Sequence, residues 1–485
     1  MISPEGLRGL KVTIIGAGRE GIALARYLVR CGARVTLSDT KSADALKDRL
    51  PLLQGLDVHL SLGGNAPDLL QADVLFASAG VPPRAAIIRQ ARERGLPISS
   101  EPRLFTQTCT APIVGITGSS GKTTTTALAG RMYAASGEKT WVGGNIGLPL
   151  TARLLEADLP KVAVMELSSF QLELFSPEYQ GATVEERRSR ASRVIATDGW
   201  SPHVAAITNI TPNHLDRHPS MADYVRAKSQ IIAFQGHGDW AVLNLDDDVT
   251  SAMSSRAAGR VLHFSLERRV GEGAFLRGDR LAVRLDGLEQ TLCHSSEVKL
   301  RGRHNLANIL AAACCAMAGG VGLGPMRSVA ISFSGMPHRL EIVRRWRGIV
   351  FVNDSIATSP ERSIAAIRSF EEPLVLLAGG RDKHLPWDEW ADLVLERVRA
   401  LVAFGEAAPI VQRALTEARS RCSEASQGPT VVRSVGSFDQ AVAEAASLAR
   451  PGDVVLLAPG GTSFDAFQDF EARGERFRAL AEALS

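Results

Sequence analysis

The sequence predicts an α/β protein built from three domains, and three observations lead there. Short apolar runs that end in Gly, Asp or Ser recur along the chain, as parallel strands do when helices cover both faces of their sheet. The strand, glycine turn, helix pattern starts near the amino terminus and restarts twice. At 485 residues the chain is too long for one ordinary core, and its 44 glycines with few aromatics suit many strand-to-helix turns. The restarts place the domains at 1–106, 107–335 and 336–485, with no internal repeat and no low-complexity linker.

The first domain opens with KVTIIG, a helix from Gly21 to Cys31, then RVTLSD and later DVLFAS. Its first turn, Gly16-Ala17-Gly18-Arg19-Glu20-Gly21, with Asp39 ending the next strand, is the GxGxxG-plus-acid pattern of a Rossmann-like unit. Read plainly, Asp39 meets a ribose hydroxyl of a dinucleotide. The bland alternative is that the glycines serve only the tight turn and close helix packing.

The second domain begins with Ala111 to Ile116 as a strand, runs through Thr117-Gly118-Ser119-Ser120-Gly121-Lys122-Thr123-Thr124, and continues as a helix over Thr125 to Met132. Backbone N–H groups at such a helix start point into one concavity and the macrodipole favours anions there. Lys122 adds a charge and Thr123 a hydroxyl able to ligate Mg²⁺. The strict P-loop would place glycine where Ile116 stands, so the loop is a variant phosphate cradle or an ordinary β–α turn. Strands follow at 162–167, 204–210 and 240–246, giving a central P-loop-type parallel sheet that is nucleotide-binding if the loop is the phosphate cradle. Glu166 ends the first of these strands, and Asn209 to Arg217, with His214 inside it, follows the second. A carboxylate and an imidazole at adjacent strand tips can hold Mg²⁺ against phosphates. Taken singly, Glu166 also reads as a helix cap and His214 as a loop hydrogen-bonding residue. Lys228 resists the metal reading, because an ammonium about 4 Å from Mg²⁺ is repelled by roughly 8 kcal/mol at an effective dielectric of 20. It must point away or change chemically.

The third domain follows Gly335-Met336-Pro337-His338-Arg339 and carries strands FVNDS (351–355), LVLLAGG (374–380), ALVAFG (400–405) and VVLLAPGG (454–461), a second Rossmann-like pattern. Composition narrows the function classes. A net charge of +3, with 45% apolar and 22% charged residues, singles out neither nucleic acid nor an anionic membrane as a partner. The densest basic cluster, Glu186 to Arg193, is short and reads as a solvated face. The six cysteines show no CxxC pair and no zinc-ligand spacing, which fits a reducing cytoplasm. The most apolar helix-like run, Ile309 to Met317, is half the length a bilayer needs, and no signal sequence is evident.

Eight stretches in order, GITGSSGKTT, GGNIGLPL, ELSSFQLE, NITPNHLDRH with YVRAK, GRHNLANILAA, MPHRLE, NDSIAT and LLAGGRDK, resemble the Mur ligases over nearly the whole chain. Among these the likeness is greatest to the kind that adds glutamate to UDP-N-acetylmuramoyl-L-alanine. The N-terminal GxGxxG unit, SSGKT in place of HGKT and the lack of a DNPR stretch set the sequence apart from other members. The resemblance implies an ADP-forming amide ligase with ATP and two Mg²⁺ ions, acting in cytoplasmic peptidoglycan precursor synthesis as a monomer. It implies N-carbamylation of Lys228, which turns the misplaced cation into an anionic ligand beside His214, while Thr123 and Glu166 ligate the other ion. Lys122, Glu166, His214 and Lys228 are then the catalytic set. Gly118 to Thr124 hold the phosphates, and Asn308, Arg339 and Asp354 the rest of ATP. Gly16, Gly18, Arg19, Glu20, Gly21, Asp39, Thr40 and Gly80 hold the UDP group, Asn145 and His214 face the sugar peptide, and Lys383, Ser463 and Phe470 bind the incoming glutamate.

Four departures stand out. Ser120 replaces the usual Asn, and Glu20 replaces a small hydroxyl residue near the diphosphate, where an anion repels unless Arg19 or Mg²⁺ compensates. Ile356 stands where other members carry a lysine that helps bind glutamate, which leaves D- and L-glutamate both open. Residues 176–203 exceed the family's usual connection and read as an extra surface loop. A NAD-dependent dehydrogenase gives no role to GSSGKTT with Glu166, His214 and Lys228. A folate-elongating glutamate ligase lacks this N-terminal domain.

Overall fold

The computed structural model describes residues 3–64, 66–156, 158–176, 199–212, 217–300, 302–383, 385–421 and 428–484. His214, residues 177–198 of the expected surface loop with its basic cluster, and Cys422 lie outside the described residues. The α/β class holds throughout, in three sheets distributed over two units, Met1–Phe333 and Ser334–Ser485.

In the first unit, β1 (Lys11–Ile15), β2 (Arg34–Asp39), β3 (Val58–Leu62), β4 (Val74–Ala77) and β5 (Ile98–Ser99) form an all-parallel sheet in the order β3-β2-β1-β4-β5. The strand order reverses at β1, so the glycine loop after β1 and the Gly80 loop after β4 flank the crevice where ligands of such sheets bind. The helix Arg19–Arg30 buries Ile22, Leu24, Ala25 and Leu28. It packs so close that a Cβ on Gly21 would sit 1.9 Å from the Gly16 carbonyl oxygen. Only glycine fits there.

The same unit holds a nine-stranded sheet of β6 (Ile113–Thr117), β7 (Thr140–Gly144), β8 (Val162–Glu166), β9 (Val204–Ile207), β10 (Trp240–Asn244), β11 (Arg260–Ser265), β12 (Gly273–Arg277), β13 (Arg280–Leu285) and β14 (Leu288–His294). The order is β14-β13-β12-β11-β10-β9-β6-β8-β7, parallel from β7 to β12 and antiparallel beyond. The antiparallel end comes from two tight turns. Gly278 (φ 62°) joins β12 to β13, and Asp286-Gly287 (φ 48° and 80°) joins β13 to β14, the positive-φ pair that a two-residue hairpin requires. This hairpin extension is absent from the sequence reading, since only two of the seven residues of its last strand are buried and it lacks a long apolar run.

In the second unit, β15 (Glu341–Trp346), β16 (Ile349–Asn353), β17 (Leu374–Gly379), β18 (Val398–Phe404), β19 (Val431–Val435) and β20 (Val454–Gly460) stand in the order β15-β16-β20-β17-β18-β19. Only β15 runs antiparallel. β17 and β20 are buried along their whole length, as strands covered on both faces must be. Among the described residues no helix is long and apolar enough to cross a membrane.

One buried acid ties the first two sheets together. Glu101, in the helix Glu101–Thr108, is 1% exposed, and its Oε1 accepts from the Thr151 amide (3.0 Å) and hydroxyl (2.7 Å). Its Oε2 is buried with no hydrogen-bond partner among the described residues. Burial, and then the nearby Glu20 charge, push the carboxyl up to about 7 from 4.5, against the two Thr151 hydrogen bonds. The folded protein therefore keeps a proton that the unfolded chain releases. Stability is fully present below pH 4.5 and falls as pH rises from about 4.5 to about 7, by a total on the order of 3 kcal/mol from this group. Glu101→Gln, which mimics the protonated acid, is expected to flatten this part of the pH profile of thermal unfolding; an unchanged slope between pH 5 and 7 contradicts the assignment.

Candidate active site

β6 stands between β8 and β9, so the strand tips that carry Glu166 and lead into residues 209–217 are not adjacent as the sequence suggested but flank the loop after β6 on either side. The loop after β6 turns on two glycines. Gly118 (φ 149°) has no room for a side chain, since a Cβ would lie 1.8 Å from Thr208 Oγ1 just past β9. Gly121 (φ 80°) starts the helix Lys122–Ala135, and its Cβ would lie 2.3 Å from Asn308 Oδ1. The helix thus begins three residues before the sequence reading placed it, at the lysine itself.

The loop is held from below. Asn209 accepts from the Ser119 amide through its carbonyl (2.8 Å) and from the Ser120 amide through Oδ1 (2.9 Å). Thr208 Oγ1 donates to the Ser120 carbonyl (2.6 Å). Asn308 Oδ1 accepts from Thr125 Oγ1 (3.4 Å) while its amide donates to Asn305 Oδ1 (3.0 Å), which puts Asn308 beneath Gly121 with 6% of its surface exposed. Ser119 Oγ bonds the Tyr224 hydroxyl (2.9 Å) and accepts from the Thr211 amide (3.0 Å).

Two lysines share the loop's first carbonyl. Lys122 Nζ donates to the carbonyls of Gly118 (2.9 Å) and Ser119 (3.0 Å). Lys228, 1% exposed at the end of the helix Met221–Ser229, donates to the Gly118 carbonyl (2.7 Å) and to Thr117 Oγ1 (3.3 Å). Its ammonium lies 4.8 Å from the centre of the Tyr224 ring, one helical turn earlier. Loss of water and then the Lys122 charge pull Lys228 well below its ordinary range, while Glu166 opposes them. At the end of β8, Glu166 is 2% exposed. Its Oε1 accepts from Asn145 Nδ2 (2.8 Å), and its Oε2 is buried without a hydrogen-bond partner among the described residues. A buried, half-unpartnered carboxylate beside a phosphate loop and a hydroxyl at Thr123 suits a divalent cation. Among the described residues no three His, Cys, Asp or Glu converge, so this donor set is short of anionic ligands unless Lys228 becomes one.

In the N-terminal sheet, Asp39 is turned back on its own loops. Its Oδ2 accepts from the Ala17 amide (2.7 Å) and its Oδ1 from the Lys41 amide (2.9 Å), so it shapes the glycine turn from inside. Glu20 has partners that the sequence could not disclose. Its Oε1 accepts from Gln171 Nε2 (2.6 Å) and its Oε2 from the Ala79 amide (3.3 Å), which ties the glycine loop to the helix Ser169–Glu173. Arg19 reaches the Gly147 carbonyl (3.4 Å), and Arg217 the Val81 carbonyl next to Gly80 (3.2 Å). Thr40 and Gly80 are exposed near these loops.

Arg339, Asp354, Lys383, Ser463 and Phe470 belong to the second unit. Asp354 is 6% exposed, and burial pushes its carboxyl up to about 6 against the Leu340 N–H (2.9 Å) and the charges of Arg339 and Arg362. Lys383 Nζ donates to Thr358 Oγ1 (3.3 Å), Ser463 is buried, and the Phe470 carbonyl accepts from Ser355 Oγ (2.8 Å). Sequence reasoning missed Tyr224, Thr208, Gln171 and Arg362. Of these only Tyr224 left a local signal, four residues before Lys228 on one helix face.

Comparison with known proteins bears on the whole chain. Three family descriptions match in succession: the MurD-like N-terminal domain of Mur ligases over residues 10–100, the Mur ligase middle domain over 116–316, and the Mur ligase glutamate ligase domain over 338–461. The UDP-N-acetylmuramoylalanine–D-glutamate ligase of Symbiobacterium thermophilum is 40% identical over 478 residues, 98% of each chain. That of Acetivibrio thermocellus is 37% identical over 479 residues, 99% of this chain and 97% of its own. Among solved structures, the UDP-N-acetylmuramate-alanine ligase of Thermotoga maritima aligns with a TM-score of 0.56 at 18% identity, over 98% of this chain and 99% of that one. A UDP-N-acetylmuramoyl-L-alanyl-D-glutamate–2,6-diaminopimelate ligase aligns at 0.55 and 15%, over 100% and 95%. The two solved structures speak for the fold alone.

Proposed function

This chain belongs to the Mur ligase family, and from that premise we propose that it joins D-glutamate to UDP-N-acetylmuramoyl-L-alanine, with ATP cleaved to ADP and phosphate. The alanyl carboxylate attacks the γ-phosphorus and ADP leaves, giving an acyl phosphate. The glutamate amine then attacks the acyl carbon, phosphate leaves, the amine gives up a proton, and an amide remains. The observation that carries this reading is the convergence of Lys122, Glu166 and Lys228 on one phosphate loop, with Lys228 buried and held 2.7 Å from the Gly118 carbonyl.

Each residue has a task that follows from its place. Lys122, at the first turn of its helix, leaves the loop carbonyls for the phosphate oxygens of ATP and, with the loop N–H groups, neutralises charge that grows as the γ-phosphoryl transfers. Thr123, Glu166 and a carbamylated Lys228 would hold two Mg²⁺ ions, with His214, outside the described residues, as the further ligand. The metal would polarise the phosphoryl oxygens and screen the attacking carboxylate from them. Carbamylation joins the neutral Lys228 amine to the carbon of CO₂ with release of a proton, and the burial that makes a cation costly shifts Lys228 toward that neutral form. Asn145 keeps Glu166 oriented through one oxygen and leaves the other for the metal. In the N-terminal sheet the Gly16–Gly21 and Gly80 loops receive the UDP group. The reading places the protein in the cytoplasm as a monomer.

The test is phosphate release from Mg²⁺-ATP in the presence of UDP-N-acetylmuramoyl-L-alanine, with D- or L-glutamate supplied separately. Release with D-glutamate and not with L-glutamate is expected. Release with L-glutamate alone reverses the assignment of handedness, and release with neither removes the ligase reading.

A further inference from the structure

The segment after β16, Asp354 to Thr358, presents an apolar Ile356 where the chain turns toward the helix Pro360–Ile367. Two cations grip this one turn. Arg362, in the first turn of that helix, donates from Nη1 to the Ile356 carbonyl (3.4 Å), and Lys383, from the loop after β17, donates to Thr358 Oγ1 (3.3 Å). The turn is closed on itself, since the Thr358 amide also donates to the Ile356 carbonyl (2.8 Å). Both cations are solvent-exposed, and neither has a carboxylate within ion-pair distance among the described residues. Their neighbours differ: Arg368 pairs with Glu389 and Arg381 with Glu406.

The two charges act on one another. Partial loss of water and then the Arg362 charge lower the Lys383 ammonium from its ordinary value. The acid nearest to Arg362 in effect, Asp354, is buried and its Oδ1 is engaged by the Leu340 amide. The chain therefore holds two like charges near one another, with the buried Asp354 acting on Arg362 from a distance and no carboxylate in direct contact with either cation among the described residues, and an incoming anion would offset the repulsion.

The surroundings are built as a receptor floor. Backbone bonds between Arg381 and Thr462 (2.8 Å both ways) join the Lys383 loop to the loop carrying Ser463. The buried Arg473 donates to the carbonyls of Ser355 (2.9 Å), Gly461 (3.2 Å) and Thr462 (3.1 Å), joining the segment after β16 to the loop that carries Ser463.

We infer that Arg362 binds a carboxylate of the incoming amino acid, acting with Lys383 across the Ile356–Thr358 turn and supplying the positive charge that Ile356 does not. This deepens the proposed function and rests on it. A dicarboxylic amino acid suits two cations set on one turn, and a planar guanidinium can take one carboxylate through two parallel hydrogen bonds while the amine of the amino acid stays free to react.

The experiment is steady-state kinetics of the full chain with D-glutamate varied, for the wild type, Arg362→Ala, Arg362→Lys and the double variant Arg362→Ala with Ile356→Lys. Arg362→Ala is expected to raise the KM for D-glutamate about ten- to a hundredfold, the loss of one charge-assisted contact. Its kcat and the KM values for ATP and the UDP substrate should stay within about threefold, the pattern of lost substrate binding. Arg362→Lys and the double variant, which returns an ammonium to the same turn, are expected to recover part of the loss. An unchanged KM for D-glutamate in Arg362→Ala, or an equal rise in the KM for ATP, overturns the inference. A wild type that forms no ADP with either glutamate fails the functional reading instead, before any variant is compared.

Discussion

Lys228→Ala is expected to lower turnover by about a hundred- to a thousandfold and to regain part of it when acetate or formate is added. The magnitude is that of deleting one charge-stabilising group from a water-poor site. The recovery follows from the geometry. Alanine leaves a space lined by Thr117, Gly118 and the Tyr224 ring, beside Glu166 and Lys122, and a small carboxylate can enter it and restore the missing anion. Were Lys228 to act as an ammonium on the phosphates, small amines and not small acids would restore turnover. A second readout separates the two readings without mutation: wild-type enzyme stripped of bicarbonate and CO₂ should lose rate and recover it on adding bicarbonate. Full activity of the alanine variant, or rescue by methylamine alone, removes the carbamate assignment.

The part of this site that was legible in the sequence is the part written locally. VAVME and LVLLAG declare themselves as buried parallel strands because both faces are covered, and a strand, glycine loop, lysine, helix order states its own geometry. What supports the loop was not legible, because Thr208, Asn209 and Asn308 reach it from 88 to 187 positions away along the chain; Asn209 and Asn308 stood out in the sequence for other reasons, and nothing local showed that they brace the turn. Glu20 shows the same limit from the other side. Judged against its neighbours it is an anion set beside a phosphate site, whereas in the fold Gln171, 151 residues on, donates to one oxygen and the Ala79 amide to the other. The hairpin β12 to β14 escaped for a different reason, since short, half-exposed antiparallel strands are specified by turns such as Asp286-Gly287 more than by apolar runs.

Glu166→Gln is the second substitution expected to act strongly, with turnover down about a hundred- to a thousandfold at fixed Mg²⁺ and partly restored as Mg²⁺ is raised. The amide has the size of the acid, and its oxygen can still accept from Asn145 Nδ2, so the strand end and the Gly144 turn beneath it have no cause to move. What changes is the charge and the nature of the second atom. The buried Oε2, which has no hydrogen-bond partner among the described residues, becomes an NH₂ that cannot ligate a cation and adds a donor where a metal was to sit. The loss should therefore appear as a higher Mg²⁺ requirement together with a lower kcat, while the KM for glutamate, a substrate whose proposed contacts lie in the second unit, stays near the wild-type value. The cap of the helix Ser169–Glu173 is made by Ser168 and Gln171 and not by Glu166, so the variant leaves it intact and a loss of turnover cannot be laid to an uncapped helix. Near-normal turnover at low Mg²⁺ would thus refute the metal assignment and leave the carboxylate as a partner of Asn145 alone.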